Sequence, residues 1–402
     1  MPSHLPITLL TGVDEQSRGA VAAGLLPNLG TVLVEYDVSG LAGGSVVRIA
    51  RTAAGVIDRE VIRMGHPCVS CAMRGSLVPL LVSIAATEKY GAAVVSVPGA
   101  GDTQALAEEI ARDAGDELRV LSVLTVLDTS TFAADVSGDD LIHDRGVPTA
   151  AEDGRAIAEV LVRQVEYANA VILANPQQPP PQPAETGETT ETGEPSEPGE
   201  PTEPGGPAVV EALARAMNPQ ALVRTTETAG ELFGVRLHDP DAAETWVEPG
   251  SISAPLNSEG RVETLVWQSD RPFHPERLYD ALEDLVAGSV RGKGTVWLAS
   301  QPRARLGWDS FGTSIALGVL GPWLADLPLD RWSEVGATHQ ARSALEWHPE
   351  HGDRASYLSI TGIDLDVREL ARRLDGCVLR TEELGSKLTD PFAPYLEGST
   401  AA

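Results

Sequence analysis

The first half of this chain alternates short, evenly apolar runs with helical patterns, and no other feature limits its fold so strongly. Ile7–Leu10, Thr31–Tyr36, Ala92–Val97, Val120–Leu127 and Ala170–Ala174 read as strands. Gly19–Leu26, Leu77–Ala86, Thr103–Ala114 and Ala156–Tyr167 read as the helices between them. Strands that are apolar on both sides need cover on both sides, so the pattern predicts a parallel sheet sandwiched by helices. Ala208–Met217 adds a helix and Ala221–Arg224 a short strand, before a loop-rich stretch from His238 to Gly260.

The C-terminal part changes style. Val262–Gln268, Gly294–Ala299 and Tyr357–Ile363 read as strands, with Cys377–Leu379 as a short last one. Pro275–Val290 has Leu278, Leu282, Leu285 and Val286 on one helical side, and Asp366 and Glu369 open a helix over Val367–Leu374 in a capping-box-like arrangement. This predicts an α+β domain with an antiparallel or mixed sheet. At 402 residues the chain suits two or three domains. The expected division is an α/β parallel-sheet domain over 1–236, a linker over 237–260 and a smaller α+β domain over 261–396.

Charge limits the partners. The chain carries 58 Asp and Glu against 30 Lys and Arg, a formal net charge of −28. Phosphate contacts need clustered Lys and Arg, so direct DNA binding is not expected. Part of the excess sits in residues 176–207, which hold ten Pro and seven Glu with Glu at every third position from Glu185 to Glu203. Such a stretch cannot bury enough surface to offset its ordering entropy and is expected to be a disordered insert. Apolar runs such as Gly91–Val97 and Val120–Leu127 fall short of a membrane span. The start MPSHLPITLLTG lacks the charged region and long apolar core of a signal peptide, and three cysteines do not make a disulfide framework. The expected location is the cytosol, with no membrane partner.

Two motifs carry chemistry. The first strand leads through TGVDEQSRGAV into a helix, where a phosphate-binding loop would sit. Such a loop uses inner glycines to expose its amides, a Lys for the terminal phosphates and a Ser or Thr for Mg²⁺. Here Gly12 remains, Glu15 and Ser17 stand at the inner glycine positions, Arg18 replaces the Lys and Gly19 the Ser or Thr. Asp14 and Glu15 place negative charge where phosphate would lie. The second motif, Gly65-His66-Pro67-Cys68-Val69-Ser70-Cys71, brings three soft-metal ligands together: His66, Cys68 and Cys71. A Cys-x-x-Cys of this kind is a redox pair, part of a metal site, or a pair of structural thiols.

Together these residues resemble the CobW-type family of metal-handling P-loop GTPases, with its P-loop, its Gly-Cys-x-Cys-Cys-x-Leu-Arg motif and its own C-terminal domain. GHPCVSCAMRGSL matches the metal motif with Cys68 and Cys71 as outer cysteines, Ser70 in place of the central one and Arg74 at the Arg position. VLTVLDTSTF (123–132) looks like the family's strand ending in Val-Asp, and VEYANAVILANP (165–176) like the helix and strand before its guanine-reading motif. RPFHPERLYDAL (271–282), VRGKGTVWLAS (290–300) and HGDRASYLSITGIDLD (351–366) are similar to the family's C-terminal domain. The resemblance implies a P-loop, Rossmann-like parallel-sheet domain followed by a CobW C-terminal domain.

The departures fall on the nucleotide side. In SVPGAGD, Ser96 stands near the family's acidic position while Gly99 and Asp102 remain; in the base-reading motif Asn175 remains, with Pro176 for the Lys and Gln178 for the guanine-specifying Asp. Phosphoryl transfer rests on Lys and Mg²⁺ electrostatics, so GTP and Mg²⁺ are not expected as cofactors, and the degenerate nucleotide loop is represented by Gly12, Arg18 and Asn175. Cys68, Cys71 and His66 are the candidate metal ligands, a donor set for Zn²⁺ or Cu⁺, and the resemblance adds zinc as the cofactor to test. The resemblance extends to a subgroup with the same Cys-Val-Ser-Cys and a weakened P-loop, implicated in zinc starvation. This implies a non-hydrolysing adaptor that helps recruit a hibernation factor to ribosomes, with the ribosome, such a factor or a zinc client as partner. Alternatives are an active GTP-dependent zinc or cobalt metallochaperone and a dithiol redox protein, the latter lacking the context of a strand running directly into a Cys-x-x-Cys helix start. His348 and His351 read as a polar loop, with a second metal site as the other reading; Arg291 and Lys293 read as flanking a solvated Gly-rich turn; Cys377 reads as core.

Overall fold

The structure, a computed structural model, describes residues 4–28, 30–147, 150, 153–175, 205–248, 250–251 and 258–396. Most of the Pro/Glu insert, 176–204, lies outside them; Pro207 opens a helix. The first part contains strands β1 (Leu5–Thr11), β2 (Thr31–Asp37), β3 (Ser45–Thr52), β4 (Gly55–Arg63), β5 (Ala92–Ser96), β6 (Leu118–Asp128), β7 (Ala170–Ala174) and β8 (Leu222–Thr225). Its helices are α1 (Glu15–Leu25), α2 (Val69–Ala86), α3 (Thr103–Ala114), α4 (Phe132–Ser137), α5 (Ile157–Tyr167), α6 (Pro207–Met217) and α7 (Pro240–Val247).

These strands form one sheet in the order β4-β3-β2-β5-β1-β6-β7-β8. From β2 to β8 all neighbours are parallel, with Leu9 of β1 opposite Val95 on one side and Val123 on the other. The apolar runs are buried as their composition requires: Ile7, Leu9, Val94, Val95, Val123 and Leu124 are fully enclosed. Beyond β2 lies an antiparallel hairpin, β3–β4, that the sequence reading missed. Its outer strand is mixed and exposed, with Val56, Ile57 and Val61 at the surface, so it lacks the apolar signature used for the others. Helix α2 is long and apolar enough, by length and composition, to cross a membrane. Here half of it is buried, with Leu77 and Leu81 in the core under the sheet, so it serves as a core helix.

The second part contains β9 (Val262–Ser269), β10 (Ser289–Val296), β11 (Ala304–Phe311), β12 (Ser314–Pro322) and β13 (Ser356–Ile363), with α8 (Pro275–Val286), α9 (Ala337–Glu346), α10 (Val367–Cys377) and α11 (Ala393–Leu396). The strands make a fully antiparallel sheet, β12-β11-β10-β13-β9. The two-domain α/β plus α+β reading therefore holds at the level of fold class. Trp267, Phe273, Trp308, Leu358 and Leu374 build its core, and Cys377 is buried as read. Cys377 ends α10 rather than opening a strand; Val378 only bridges Phe273. The stretch read as a linker contains α7, capped by Asp239 and packed on α5.

Arg291 and Lys293 require the largest correction. They lie in β10, not at a solvated turn, and are 4% and 6% exposed. Arg291 Nε meets Glu166 Oε1 of α5 at 2.9 Å and its Nη1 meets Asp309 Oδ1 at 2.6 Å. Lys293 Nζ lies 3.5 Å from the same Glu166 oxygen and donates to Trp246 O at 2.8 Å. Arg163 of α5 reaches Asp309 at 3.2 Å, and both arginines stack on Phe311. These strand charges were misread because the carboxylate they share, Glu166, lies over a hundred positions away in the first part of the chain.

Burial alone would push the Glu166 carboxyl up, but Arg291 and Lys293 outweigh it and hold the group below its ordinary value. Glu166→Gln leaves buried cations uncompensated and is expected to cost about 3–5 kcal/mol, read as a lower urea midpoint. Arg331→Ala, which breaks an exposed, solvent-screened pair with Glu334, is expected to leave the urea midpoint nearly unchanged. The Glu166 contribution is complete above the ordinary glutamate range and is lost as pH falls through the depressed value. The gap between wild type and Glu166→Gln should therefore narrow in strong acid; a gap that widens would overturn the assignment.

Candidate functional site

The loop after β1 turns on Gly12, whose φ of +147° and contact with β6 exclude a side chain: a Cβ there would lie 2.5 Å from Val126 O. Asp14 caps α1, its Oδ1 accepting from Ser17 N at 2.6 Å. Arg18 points inward and is 7% exposed. It donates to Gly12 O from Nη1 and to Ser96 Oγ from Nε at 3.2 Å. Burial lowers its pKa, against the pull of Glu15, Asp14 and Glu35. A cavity of about 260 Å³ adjoins the loop, with Asp14, Glu15, Asp128, Asp135 and Arg145 among its walls. Asp102 caps α3 by accepting from Ala105 N. Asn175 directly follows β7, which lies two strands along the sheet from β1.

The cysteine motif is built by α2. Cys68 is the N-cap, and its Sγ accepts from Cys71 N at 3.2 Å. Cys71 Sγ lies 3.7 Å from His66 Nε2. One ligand atom from each of His66, Cys68 and Cys71 falls within 4.8 Å of the others; His66 and Cys71 are exposed and Cys68 is partly buried. The Cys-x-x-Cys stands at a helix start, with four residues, 64–67, between it and β4. The Cys68 sulfur, through its hydrogen bond first and slight burial second, pushes the Cys71 thiol up. A cation shared by the two sulfurs would have to displace thiol protons and would relieve that repulsion.

The overlooked hairpin anchors this helix. Arg48 of β3 is buried, donates to Ser76 O of α2, and pairs with Asp58 at 2.9 Å and Glu60 at 2.7 Å on β4. Tyr36 Oη shares a 3.1 Å hydrogen bond with Ser76 Oγ. Burial pushes the Tyr36 phenol up to about 12, so it stays neutral. Arg74, at the family's Arg position, is mostly exposed and lies 3.8 Å from Glu109. Ser70 borders a small hollow with Met73, Arg74 and Asp102.

Two features of the C-terminal part escaped the sequence reading. The rings of His348 and His351, the pair read as a polar loop or a second metal site, stack, and Asp270 joins them unannounced. A cavity of about 470 Å³ is lined by Trp246, Thr295, Arg305, Trp323 and His339, among others, with Arg305 Nε buried and unpartnered there. No local spacing announces Asp270 or this cavity, because both arise from distant segments.

Residues 262–378 match the family described as the cobalamin synthesis protein cobW C-terminal domain. The match spans the antiparallel sheet from β9 to the end of α10. A zinc chaperone of Mycobacterium tuberculosis (strain ATCC 25618 / H37Rv) is 25% identical over 97% of this chain and 93% of that protein. Zinc-regulated GTPase metalloprotein activator 1 of Dictyostelium discoideum is 23% identical over 94% of this chain and 78% of that protein. Among solved structures, Zn(II)-bound YjiA GTPase from E. coli is 14% identical, with a TM-score of 0.35 over 94% of this chain and 99% of that one. The C-terminal match and the two relatives support a CobW-type assignment for the whole chain.

The three thiols of the chain differ in access: Cys71 is exposed, Cys68 partly buried and Cys377 buried. An aromatic disulfide reagent should titrate two thiols in the native protein, Cys71 before Cys68, and the third only after denaturation. Rapid reaction of all three would contradict the placement of Cys377.

Proposed function

We propose that this chain is a CobW-type zinc-handling protein that takes Zn²⁺ as cargo on His66, Cys68 and Cys71. The convergence of these three side chains at the start of α2 carries the reading. Two sulfurs and an imidazole are a zinc-type donor set, with a fourth position left for water or a client's ligand. The exposure of His66 and Cys71 suits a site that must hand its ion on. The names of the M. tuberculosis and D. discoideum relatives, a zinc chaperone and a zinc-regulated activator, point the same way.

In this reading the protein acts without turning over GTP. Asp14 already accepts the Ser17 amide, Arg18 is spent on Gly12 O and Ser96, and four carboxylates flank the neighbouring cavity. A triphosphate entering there would meet negative charge and no free Lys. The protein would then be a cytosolic adaptor that helps bring a hibernation factor to ribosomes when zinc is scarce, with a net charge of −28 favouring ribosomal proteins over bare RNA. A GTP-driven metallochaperone is the competing reading, favoured by the word GTPase in the D. discoideum relative's name.

Zinc titration should show Cys71→Ser binding at least about tenfold more weakly than wild type, about 1.4 kcal/mol; equal affinities would sink the cargo site. Calorimetry with GTP and Mg²⁺ should give no micromolar binding, which would correspond to about −8 kcal/mol. Micromolar GTP binding, together with no zinc-dependent co-sedimentation with ribosomes, would favour the metallochaperone instead.

A further inference from the structure

The second histidine cluster lies in the C-terminal domain, remote in sequence from the cysteines. Residues 348–352 close a tight turn: His348 N donates to Gly352 O at 2.8 Å and Gly352 N to His348 O at 2.9 Å. Gly352 has φ +69°, and a Cβ there would lie 2.4 Å from Ala325 Cβ and 3.2 Å from the Trp347 ring. The turn is therefore wedged in place, and it holds the His348 and His351 rings 3.7 Å apart with 5° between planes. Trp297 packs against His351 at 5.2 Å. Asp270, just past β9, brings a carboxylate to the pair; one ligand atom from each of the three lies within 4.8 Å of the others.

The nitrogens are not all spoken for. His348 Nδ1 accepts from Glu350 N at 3.2 Å. His351 Nδ1 is buried and has no hydrogen-bond partner. A buried ring nitrogen without a partner is unfavourable, and this one sits beside a second imidazole and a carboxylate. The nearby Arg354 is already paired with Asp326 at 2.5 Å, so its charge is compensated.

We propose that Asp270, His348 and His351 form a second site for a zinc-class divalent cation. Two imidazoles and one carboxylate are donors that zinc accepts at roughly 2.0–2.2 Å, which places them roughly 3.3 Å from one another. Rotation of Asp270, which is exposed, and of the His348 ring closes the present separations. Water completes a tetrahedron. The site differs from the cysteine cluster in having no sulfur, so it binds more weakly and exchanges faster than a thiolate site, and it leaves one position open to a ligand from another molecule.

The test is metal stoichiometry on the full chain. Equilibrium dialysis against zinc should leave one zinc in Cys68→Ser/Cys71→Ser, and adding Asp270→Ala and His348→Ala should remove it. Asp270→Ala alone, at an exposed position, should weaken this site at least tenfold with the thermal melt unchanged. Cobalt in the Cys68→Ser/Cys71→Ser variant, whose remaining Cys377 is buried, should show visible ligand-field bands without the near-ultraviolet sulfur-to-cobalt band. Absence of zinc from that variant at about 100 µM free metal, or zinc that survives loss of Asp270 and His348, would overturn the proposal. Unchanged zinc in Cys68→Ser/Cys71→Ser that disappears with Asp270→Ala/His348→Ala would instead sink the cysteine site and leave this one standing.

Discussion

The two halves of the molecule are joined by a buried carboxylate. Glu166, on a helix of the parallel sheet, is enclosed with Arg291 and Lys293 of the antiparallel sheet, and Asp309 balances the second charge. Charges removed from water are costly unless each is answered, so this arrangement tolerates little sliding of one sheet against the other. Around it, Val262, Val290 and Phe311 from the second domain share a core with Val162, Val165 and Val210 from the first. The apolar contacts supply area without direction; the ion network adds the direction.

The candidate metal centre depends on a different support. Helix α2 is held from below by Leu77 and Leu81 in the core and from the side by Arg48, which threads between the edge hairpin and Ser76. That leaves the first turn of the helix free to present Cys68 and Cys71 while the rest is immobilised. A site on a rigid helix start, with its ligands at the surface, combines fixed geometry with access.

The sequence was most legible where physics acts locally. Doubly apolar strands such as Ala92–Ser96 needed no partner information, and His66, Cys68 and Cys71 were close enough in the chain for spacing to bring them together. Asp14 as a helix cap was less visible than its charge. What escaped notice was set by distance: β3 and β4 have ordinary mixed composition and are explained by Arg48 and Ser76, and Arg291 and Lys293 looked solvated until Glu166 appeared above them. The spacing of His348 and His351 left a polar loop and a metal site both open, and the two-way bridged turn that stacks the rings shows how they meet without a helix. Asp270 could not have been added from spacing at all.

The loop after the first strand closes on itself. In a loop built for phosphate, backbone donors wait for an anion; here the Ser17 donor is met by the carboxylate three residues before it, and the buried guanidinium of Arg18 is met by Gly12 and Ser96. Those groups are satisfied by the chain alone. Any rearrangement of that corner must therefore first break the Asp14–Ser17 and Arg18–Gly12 contacts, which ties the loop to the start of α1.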